Sequence, residues 1–247
     1  MLKADRLATW AAGRANVGDP HFLVKSVAAA FDVPVQTKAL TGKAGMLDLV
    51  DGRVIIVVDN GVRTRRRFSA AHELGHFLLA ATQGVTLAQQ TADRGYERYC
   101  NAFASHLLLP RPWVHAQAEN QHVTMATVIG LARSADCSFA ATTTALNDAA
   151  GWDQALLSWR RSTNGRWSLD KVISTRPGRH LVESVPQTDA VLDDAGEHPR
   201  QQRVHLRVDG EPVVVTVELI RFRRSAFALA PASHVLDCST RDDHGGR

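Results

Sequence analysis

The sequence predicts an α+β fold: a first region of helices around a β-hairpin, then a helical unit, then a β-rich module. Apolar residues recur at helical spacing over residues 1–33. Two apolar runs flank Asp51-Gly52, a dipeptide that favours a hairpin turn. After Gly151 the composition shifts toward strand-forming runs. These changes predict a first region at 1–115, a helical unit at 116–150 and a β-rich module at 151–238, followed by a tail at 239–247.

The first region is expected to contain four helices and one hairpin. Gly18-Asp19-Pro20 divides residues 1–33 into two short helices, and Asn60-Gly61 ends the second strand of the hairpin. Pro110 and Pro112 stop the last helix, because proline cannot donate the backbone hydrogen bond that a helix interior needs. The expected elements after residue 33 are a hairpin of 46–50 with 53–59, a buried central helix over 68–82 and a helix over 92–109.

The rest of the chain divides into helical and strand-like parts. Residues 123–148 are typical of a helix, a short turn and a second helix. Residues 184–202 are rich in Pro, Asp and Gln and are expected to form a loop. Four runs predict strands: 155–161, 166–172, 202–208 and 212–222. The last two flank Asp209-Gly210, a dipeptide typical of a turn.

Composition is that of a folded globular protein. Hydrophobic residues make up 45% of the chain and charged residues 22%, which argues against a disordered or collagen-like protein. The longest uncharged stretch, 74–92, is too polar to cross a bilayer, and no signal peptide or membrane association is expected. Cys100, Cys137 and Cys238 are widely spaced without a Cys-x-x-Cys pair, so the expected location is a reducing cytoplasm.

The most informative segment is His72-Glu73-Leu74-Gly75-His76 within the predicted central helix. With about 100° between successive residues, His76 lies about 40° and Glu73 about 100° around the helix from His72. Burying two imidazoles and a carboxylate is costly unless a partner satisfies them, and a metal ion held by both histidines would do so. The alternative is a pair of core histidines that bond to backbone carbonyls.

Glu97 is a candidate for the third metal ligand. It lies beside the apolar stripe of the predicted 92–109 helix, so its carboxylate would face a packing partner. Two histidines and one carboxylate form a known zinc site, which leaves a fourth position for water. The alternative is a glutamate that only favours the helix dipole. His106, about 180° around the helix from Glu97, is excluded as a ligand by its position.

At these motifs the sequence resembles the ImmA/IrrE metallopeptidases. The resemblance lies in Arg67-Phe68-Ser69 through Leu79, which contains HELGH, and in Glu97 through Pro110, which follows the family pattern E-x-x-A-N-x-F-A-x-x-L-L-M-P. Cys100 stands where alanine is usual, and Leu109 where methionine is usual. The resemblance implies a zincin-like metallopeptidase domain with a β-hairpin and an active-site helix over about residues 1–115.

The resemblance also implies the site residues: zinc (Zn2+) on His72, His76 and Glu97, with Glu73 as the catalytic base. A base beside the metal would take a proton from water and deliver it to the leaving amine. An extended substrate is expected to pair with an exposed edge of the 46–59 hairpin. The oxyanion could be stabilised by Tyr96, Tyr99, His115 or an arginine. Arg65-Arg66-Arg67 either recruits an acidic substrate segment or is only a solvated approach to the helix.

The expected function is that of a zinc metallo-endopeptidase that cleaves a protein target, by resemblance a helix-turn-helix transcriptional repressor, in a stress or mobile-element response. The alternative is a non-hydrolytic binding module, or anti-repressor, that sequesters its partner. Direct DNA binding is not expected: residues 116–150 contain one arginine against three acidic residues, and their second helix has no Lys or Arg. By analogy with longer relatives, the last module would be GAF-like.

Overall fold

The computed structural model describes residues 2–16, 18–174 and 181–236. Their contacts divide the chain into two compact units. The first comprises Met1–Val114 and Leu131–Ala141, and the second comprises His115–Gly130 and Thr142–Arg247. The described residues do not include the predicted tail at 239–247 or the last two residues of the predicted 151–238 module.

The first unit contains the helices and the hairpin that the sequence predicts, with two additional elements. In chain order the elements are α1 (Ala4–Ala15), α2 (Pro20–Ala30), β1 (Val35–Lys38), β2 (Gly45–Val50), β3 (Arg53–Asp59), α3 (Arg63–Gln83), α4 (Leu87–Ala92) and α5 (Arg94–Leu108).

The two short N-terminal helices are confirmed. Asp19 caps α2, because its side chain accepts a hydrogen bond from the backbone N–H of His21. Pro20 follows at the first helical position, where its missing N–H costs nothing. Apolar residues of α1 and α2 such as Leu7 and Leu23 are fully buried, so these helices form part of the core of the first unit.

A three-stranded sheet lies beside the helices in the strand order β1-β3-β2. β3 is the central, buried strand; it pairs in parallel with β1 and antiparallel with β2. The predicted hairpin is confirmed, and its turn uses positive φ at Asp51 (50°) and Gly52 (76°). Because β2 pairs with one strand only among the described residues, one of its edges is free.

The central helix is longer than predicted. α3 begins at Arg63, five residues before the predicted start at Phe68, and Gly84 ends it with a left-handed φ of 69°. The arginine run therefore lies within the helix and not before it, and Arg65 is exposed there. The predicted 92–109 helix is confirmed as α5, but Asp93 begins it and separates it from α4, which was not predicted.

Three further helices follow: α6 (Arg111–Ala118), α7 (Met125–Ala135) and α8 (Phe139–Ala150). The last two confirm the predicted pattern of helix, short turn and helix over residues 123–148. Their connection turns at Asp136, which has a φ of 51°. The assignment of residues 116–150 to a helix-turn-helix-like unit stays a prediction.

The remaining elements form a six-stranded antiparallel sheet with two helices, so the strand-forming runs after residue 151 do form strands. Its core includes Trp159, Leu192, Val204 and Val217. The strand order is β5-β4-β9-β8-β7-β6. The elements are β4 (Gln154–Arg161), β5 (Trp167–Ile173), β6 (Val182–Ser184), α9 (Pro186–Asp194), β7 (Arg200–Val208), β8 (Glu211–Phe222), β9 (Ser225–Pro231) and α10 (Ala232–Leu236).

The prediction of a loop over residues 184–202 was wrong. This segment contains α9, which buries Thr188 and Leu192, and the first residues of β7. Pro186 stands at the start of α9, a position where proline favours a helix instead of breaking it. In the described part of the chain, no helix combines the length and the hydropathy that crossing a bilayer requires.

Candidate metal centre

Helices α3 and α5 bring the three predicted metal ligands together. The Nε2 atoms of His72 and His76, one turn apart on α3, lie 3.0 Å from each other. From the first turn of α5, Glu97 places Oε2 3.3 Å from Nε2 of His72 and Oε1 3.3 Å from Nε2 of His76. Glu97, which is 21 residues after His76 and 25 after His72, thus completes one cluster that could hold a metal ion.

Gly75 allows the two helices to approach this closely. A Cβ atom at Gly75 would lie 3.0 Å from Cδ1 of Phe103 and 3.4 Å from Cα of Cys100. Phe103 and Cys100 are fully buried on α5. The glycine between the two histidines thus has a packing role: it lets the backbone of α3 lie against α5, which brings Glu97 within reach of the imidazoles.

Two side-chain amides orient the imidazole rings. Oδ1 of Asn101 lies 3.0 Å from Nδ1 of His72, and Oε1 of Gln90 lies 2.5 Å from Nδ1 of His76. An amide oxygen only accepts hydrogen bonds, so each Nδ1 carries the hydrogen. In the neutral tautomer each Nε2 then has a free lone pair. The alternative of two core histidines bonded to backbone carbonyls does not agree with these contacts.

The spacing of the donor atoms fits a metal ion. Bonds of about 2.0–2.1 Å in a tetrahedral site place ligand atoms about 3.3 Å from one another. The observed separations are 3.0, 3.3 and 3.3 Å. Two nitrogen lone pairs and a carboxylate at these distances repel one another unless a proton or a metal ion lies between them. Two histidines and one carboxylate are also a donor set that binds divalent metals in proteins.

Burial affects the ionisation of two residues in the cluster. The pKa of His72 is lowered by burial and by the neighbouring His76, which favours the neutral ring that can bind a metal. The pKa of Glu73 is raised, chiefly by burial, and the nearby charge of Glu97 acts in the same direction. Glu73 is therefore a stronger base than an exposed glutamate.

A cleft of about 660 Å³ opens over the cluster and is lined by Glu73 as well as by the three candidate ligands. Glu73 is not one of the three residues in the metal-binding cluster. Its carboxylate lies against the start of β2, where a Cβ at Gly45 would be 3.1 Å from its Oε1. The cleft thus combines a group that could act as a base, a possible metal site and the strand β2.

The candidates for stabilising the oxyanion were Tyr96, Tyr99, His115 and an arginine. Arg65 is an arginine that lines the cleft. Tyr99 does not line it, because its hydroxyl donates to the backbone carbonyl of Leu2 at 2.8 Å. Tyr96 does not line it either, and His115 belongs to the second compact unit. His106 is absent from the cluster and the cleft, as its position on α5 predicts.

Sequence reasoning missed Gln90 and Gly45. Gln90 is 1% exposed and lies on the short helix α4, which was not predicted. Gln90 is one of several polar residues in the stretch 74–92, and nothing in its local sequence indicates a contact with His76. Gly45 precedes the predicted hairpin, and nothing in its local sequence indicates that a side chain there would meet Glu73.

Comparison with known proteins agrees with the motifs. Residues 28–147 match the model of a peptidase family, M78, described as the IrrE N-terminal-like domain. A solved structure, a Mycobacterium tuberculosis transcriptional regulator, is similar with a TM-score of 0.54 and 14% sequence identity, over 96% of this chain and 91% of that chain. At this identity the likeness concerns the fold alone. No protein with a curated description matches the chain. Residues 28–147 are thus an IrrE N-terminal-like domain of the M78 peptidase family, which confirms the resemblance to ImmA/IrrE proteins.

Proposed function

We propose that this chain is a zinc-dependent endopeptidase, with His72, His76 and Glu97 as metal ligands and Glu73 as the general base. The observation that carries the proposal is that the donor atoms of three residues lie within about 3.3 Å of one another, with a second carboxylate, that of Glu73, in the same cleft. Membership of a peptidase family supports the same reaction class. Zinc is the metal that most often uses this donor set in a hydrolytic site.

Zinc bound at this site would polarise the substrate carbonyl and make water more acidic. The chain's own residues would do the remaining work. Glu73 accepts the proton from the attacking water and delivers it to the leaving amine, so one residue acts first as base and then as acid. Asn101 and Gln90 hold the imidazoles in the orientation that directs Nε2 into the cleft.

The free edge of β2 is the proposed docking site for an extended substrate. Gly45, Met46 and Leu47 at the start of β2 line the same cleft as the candidate metal ligands. A peptide that adds to this edge would form main-chain hydrogen bonds, which are tolerant of sequence, while its scissile bond lies over the cluster.

The proposed substrate is a protein, by resemblance to the ImmA/IrrE family a helix-turn-helix transcriptional repressor that is cleaved during a stress or mobile-element response. We place this reaction in the cytoplasm. The alternative function, sequestration of a partner without cleavage, would leave Glu73 without a role. Direct binding to DNA is disfavoured by the charge of residues 116–150, whose helix α8 has no Lys or Arg.

Metal analysis combined with a cleavage assay tests the proposal. The wild-type chain should carry about one zinc per chain and should cleave members of a proteome-derived peptide library, with loss of cleavage after chelation and recovery after addition of zinc. His72→Ala and His76→Ala should lose the metal, and Glu97→Ala should bind it much more weakly. His106→Ala and Glu119→Ala are the matched controls and should keep it.

A full zinc complement in the three ligand variants would refute the ligand assignment. A wild-type chain that holds zinc but leaves every library peptide intact would contradict endopeptidase activity and favour sequestration.

A further inference from the structure

The first turns of α3 contain an unusual concentration of positive charge. Four of the five residues 63–67 are arginines, and the first turn of the helix has no acidic residue. Cations are unfavourable at a helix N-terminus, because the helix dipole places partial positive charge there. An arrangement that breaks a local rule in this way calls for a compensating interaction.

Two of the arginines have such an interaction within the fold. Nε of Arg63 lies 2.6 Å from a carboxylate oxygen of Asp136. The guanidinium of Arg67 donates hydrogen bonds to the backbone carbonyls of Pro20, His21, Ala135 and Asp136. Arg63 and Arg67 therefore hold separate segments of the first unit together.

Arg65 and Arg66 are different. Neither forms an ion pair with any residue among 2–16, 18–174 and 181–236. Both line a cavity of about 280 Å³, together with Lys43. The cavity therefore has three cationic side chains in its wall.

One carboxylate, Asp59, lines the same cavity, but it is already engaged. Its two oxygens accept hydrogen bonds from the backbone N–H groups of Leu40 and Gly61, at 3.0 and 3.1 Å. The bond from Leu40 is the main reason that the pKa of Asp59 is lowered, and the charge of Arg65 adds a smaller contribution. Three cations against one engaged carboxylate leave the wall with an excess of two positive charges.

This cavity adjoins the cleft over the metal cluster. Lys43, Ala44, Arg65 and Ser69 line both spaces. Gly42, Lys43 and Ala44 precede β2 directly, so the cavity lies at the start of the strand that lines the cleft. A side chain of a peptide bound over the cluster can therefore enter it.

We propose that this cavity is a specificity subsite that binds the carboxylate of an aspartate or glutamate side chain of the substrate. The inference rests on the proposed peptidase function and adds a substrate class to it. Arginine suits the role, since a guanidinium can donate two parallel hydrogen bonds to a carboxylate. A basic side chain would be repelled, and an amide oxygen would accept hydrogen bonds from the arginines without the attraction between opposite charges.

Peptide profiling of charge variants tests the subsite. The zinc-loaded wild type should cleave library peptides with Asp or Glu enriched at one fixed distance from the scissile bond. For a peptide chosen from that set, Arg65→Gln/Arg66→Gln should lower kcat/KM about 10- to 100-fold, as expected for loss of hydrogen bonds to a charged group. The matching Asn or Gln peptide should lose less activity than the acidic peptide, so the ratio of acidic to amide cleavage should fall, and Arg66→Glu should shift the preference toward Lys or Arg.

Arg14→Gln, an exposed substitution on α1, is the control and should leave the profile unchanged. An equal ratio of acidic to amide cleavage in wild type and Arg65→Gln/Arg66→Gln would overturn the subsite. Zinc content is measured in every variant, so that loss of metal is distinguished from loss of specificity.

Binding provides a readout that is independent of cleavage. The same library is enriched on immobilised, zinc-loaded Glu73→Gln protein, with and without Arg65→Gln/Arg66→Gln. If acidic peptides are enriched on the Glu73→Gln protein but not on the variant that also carries Arg65→Gln and Arg66→Gln, the subsite is supported. This holds even if no peptide is cleaved, and in that case only the peptidase function fails. No acidic enrichment in either protein would overturn the subsite.

Discussion

Gln90 holds His76 at two points, one on the ring and one on the backbone. Its Nε2 donates to the carbonyl of His76 at 3.1 Å and to that of Val85 at 2.8 Å. These two bonds use the donor side of the amide, so its Oε1 is the atom that faces Nδ1 of His76, at 2.5 Å. The contact therefore fixes both the position of His76 and the tautomer that leaves Nε2 free for a metal.

Replacing Gln90 by Met should weaken zinc binding about 10- to 100-fold, the usual cost of losing a hydrogen-bond partner of a metal-binding histidine. Stability should also fall, by about 1–3 kcal/mol, because buried carbonyls lose their donor. Competition with a chromophoric chelator measures the affinity. Gln117→Met, an exposed change on α6, is the control. A zinc affinity equal to that of wild type in Gln90→Met would show that Gln90 does not position the ligand.

Gly75→Ala should separate α3 from α5. The added Cβ would lie 3.0 Å from Phe103, so one helix must shift, at a cost of about 1–3 kcal/mol in stability. The shift moves Glu97 away from the imidazoles and should lower zinc affinity. Gly130→Ala is a matched control in α7, where nothing lies within 4 Å and alanine should if anything stabilise the helix. Chemical denaturation together with zinc titration compares the two variants; equal behaviour would contradict the packing role.

Gly45→Ala should impair catalysis without removing the metal. The new Cβ would lie 3.1 Å from Cγ and Oε1 of Glu73, so that flexible carboxylate must move. A misplacement of about 1 Å can cost about 100-fold in rate. Steady-state kinetics on a cleaved library peptide should show a lower kcat/KM at full zinc occupancy. Gly13→Ala, with open space around it on α1, should be neutral. Normal activity in Gly45→Ala would argue against Glu73 as the base.

The two described cysteines should be unreactive in the folded protein. Burial raises the pKa of Cys100 to about 12 and that of Cys137 to about 11. At pH 8 the reactive thiolate is therefore a very small fraction, whereas in the unfolded chain, with a pKa of about 8.5, it is substantial. Iodoacetamide labelling followed by peptide mass spectrometry should modify both residues only in urea. Rapid labelling of Cys100 at pH 8 without denaturant would contradict its buried position.

The ligands of the candidate site could be predicted because their signals are local. His72 and His76 are one helical turn apart, and Glu97 lies on the margin of an apolar helix face, so helical geometry alone aligns each of them. The hairpin was predictable for the same reason, since Asp51-Gly52 lies between two apolar runs. In each case a few neighbouring residues carry the whole pattern.

The parts that were missed depend on tertiary contacts. Gln90 is 14 residues from His76, and no sequence period relates the two. The clash that excludes a side chain at Gly45 arises only when β2 lies against α3. Helix α9 was mistaken for a loop because its Pro and Asp residues are also typical of loops, while its burial of Leu192 against the sheet is not visible in sequence.

The central claim is that Glu73 acts as the general base for hydrolysis at this metal centre. The most direct test is the cleavage rate of one library peptide by zinc-loaded Glu73→Gln and wild-type proteins at equal zinc content. Gln is nearly isosteric with Glu and Glu73 is outside the ligand cluster, so fold and zinc affinity should persist. Because Gln cannot accept the proton from water, the account predicts a rate at least about 100-fold lower. A rate within twofold of wild type would contradict it.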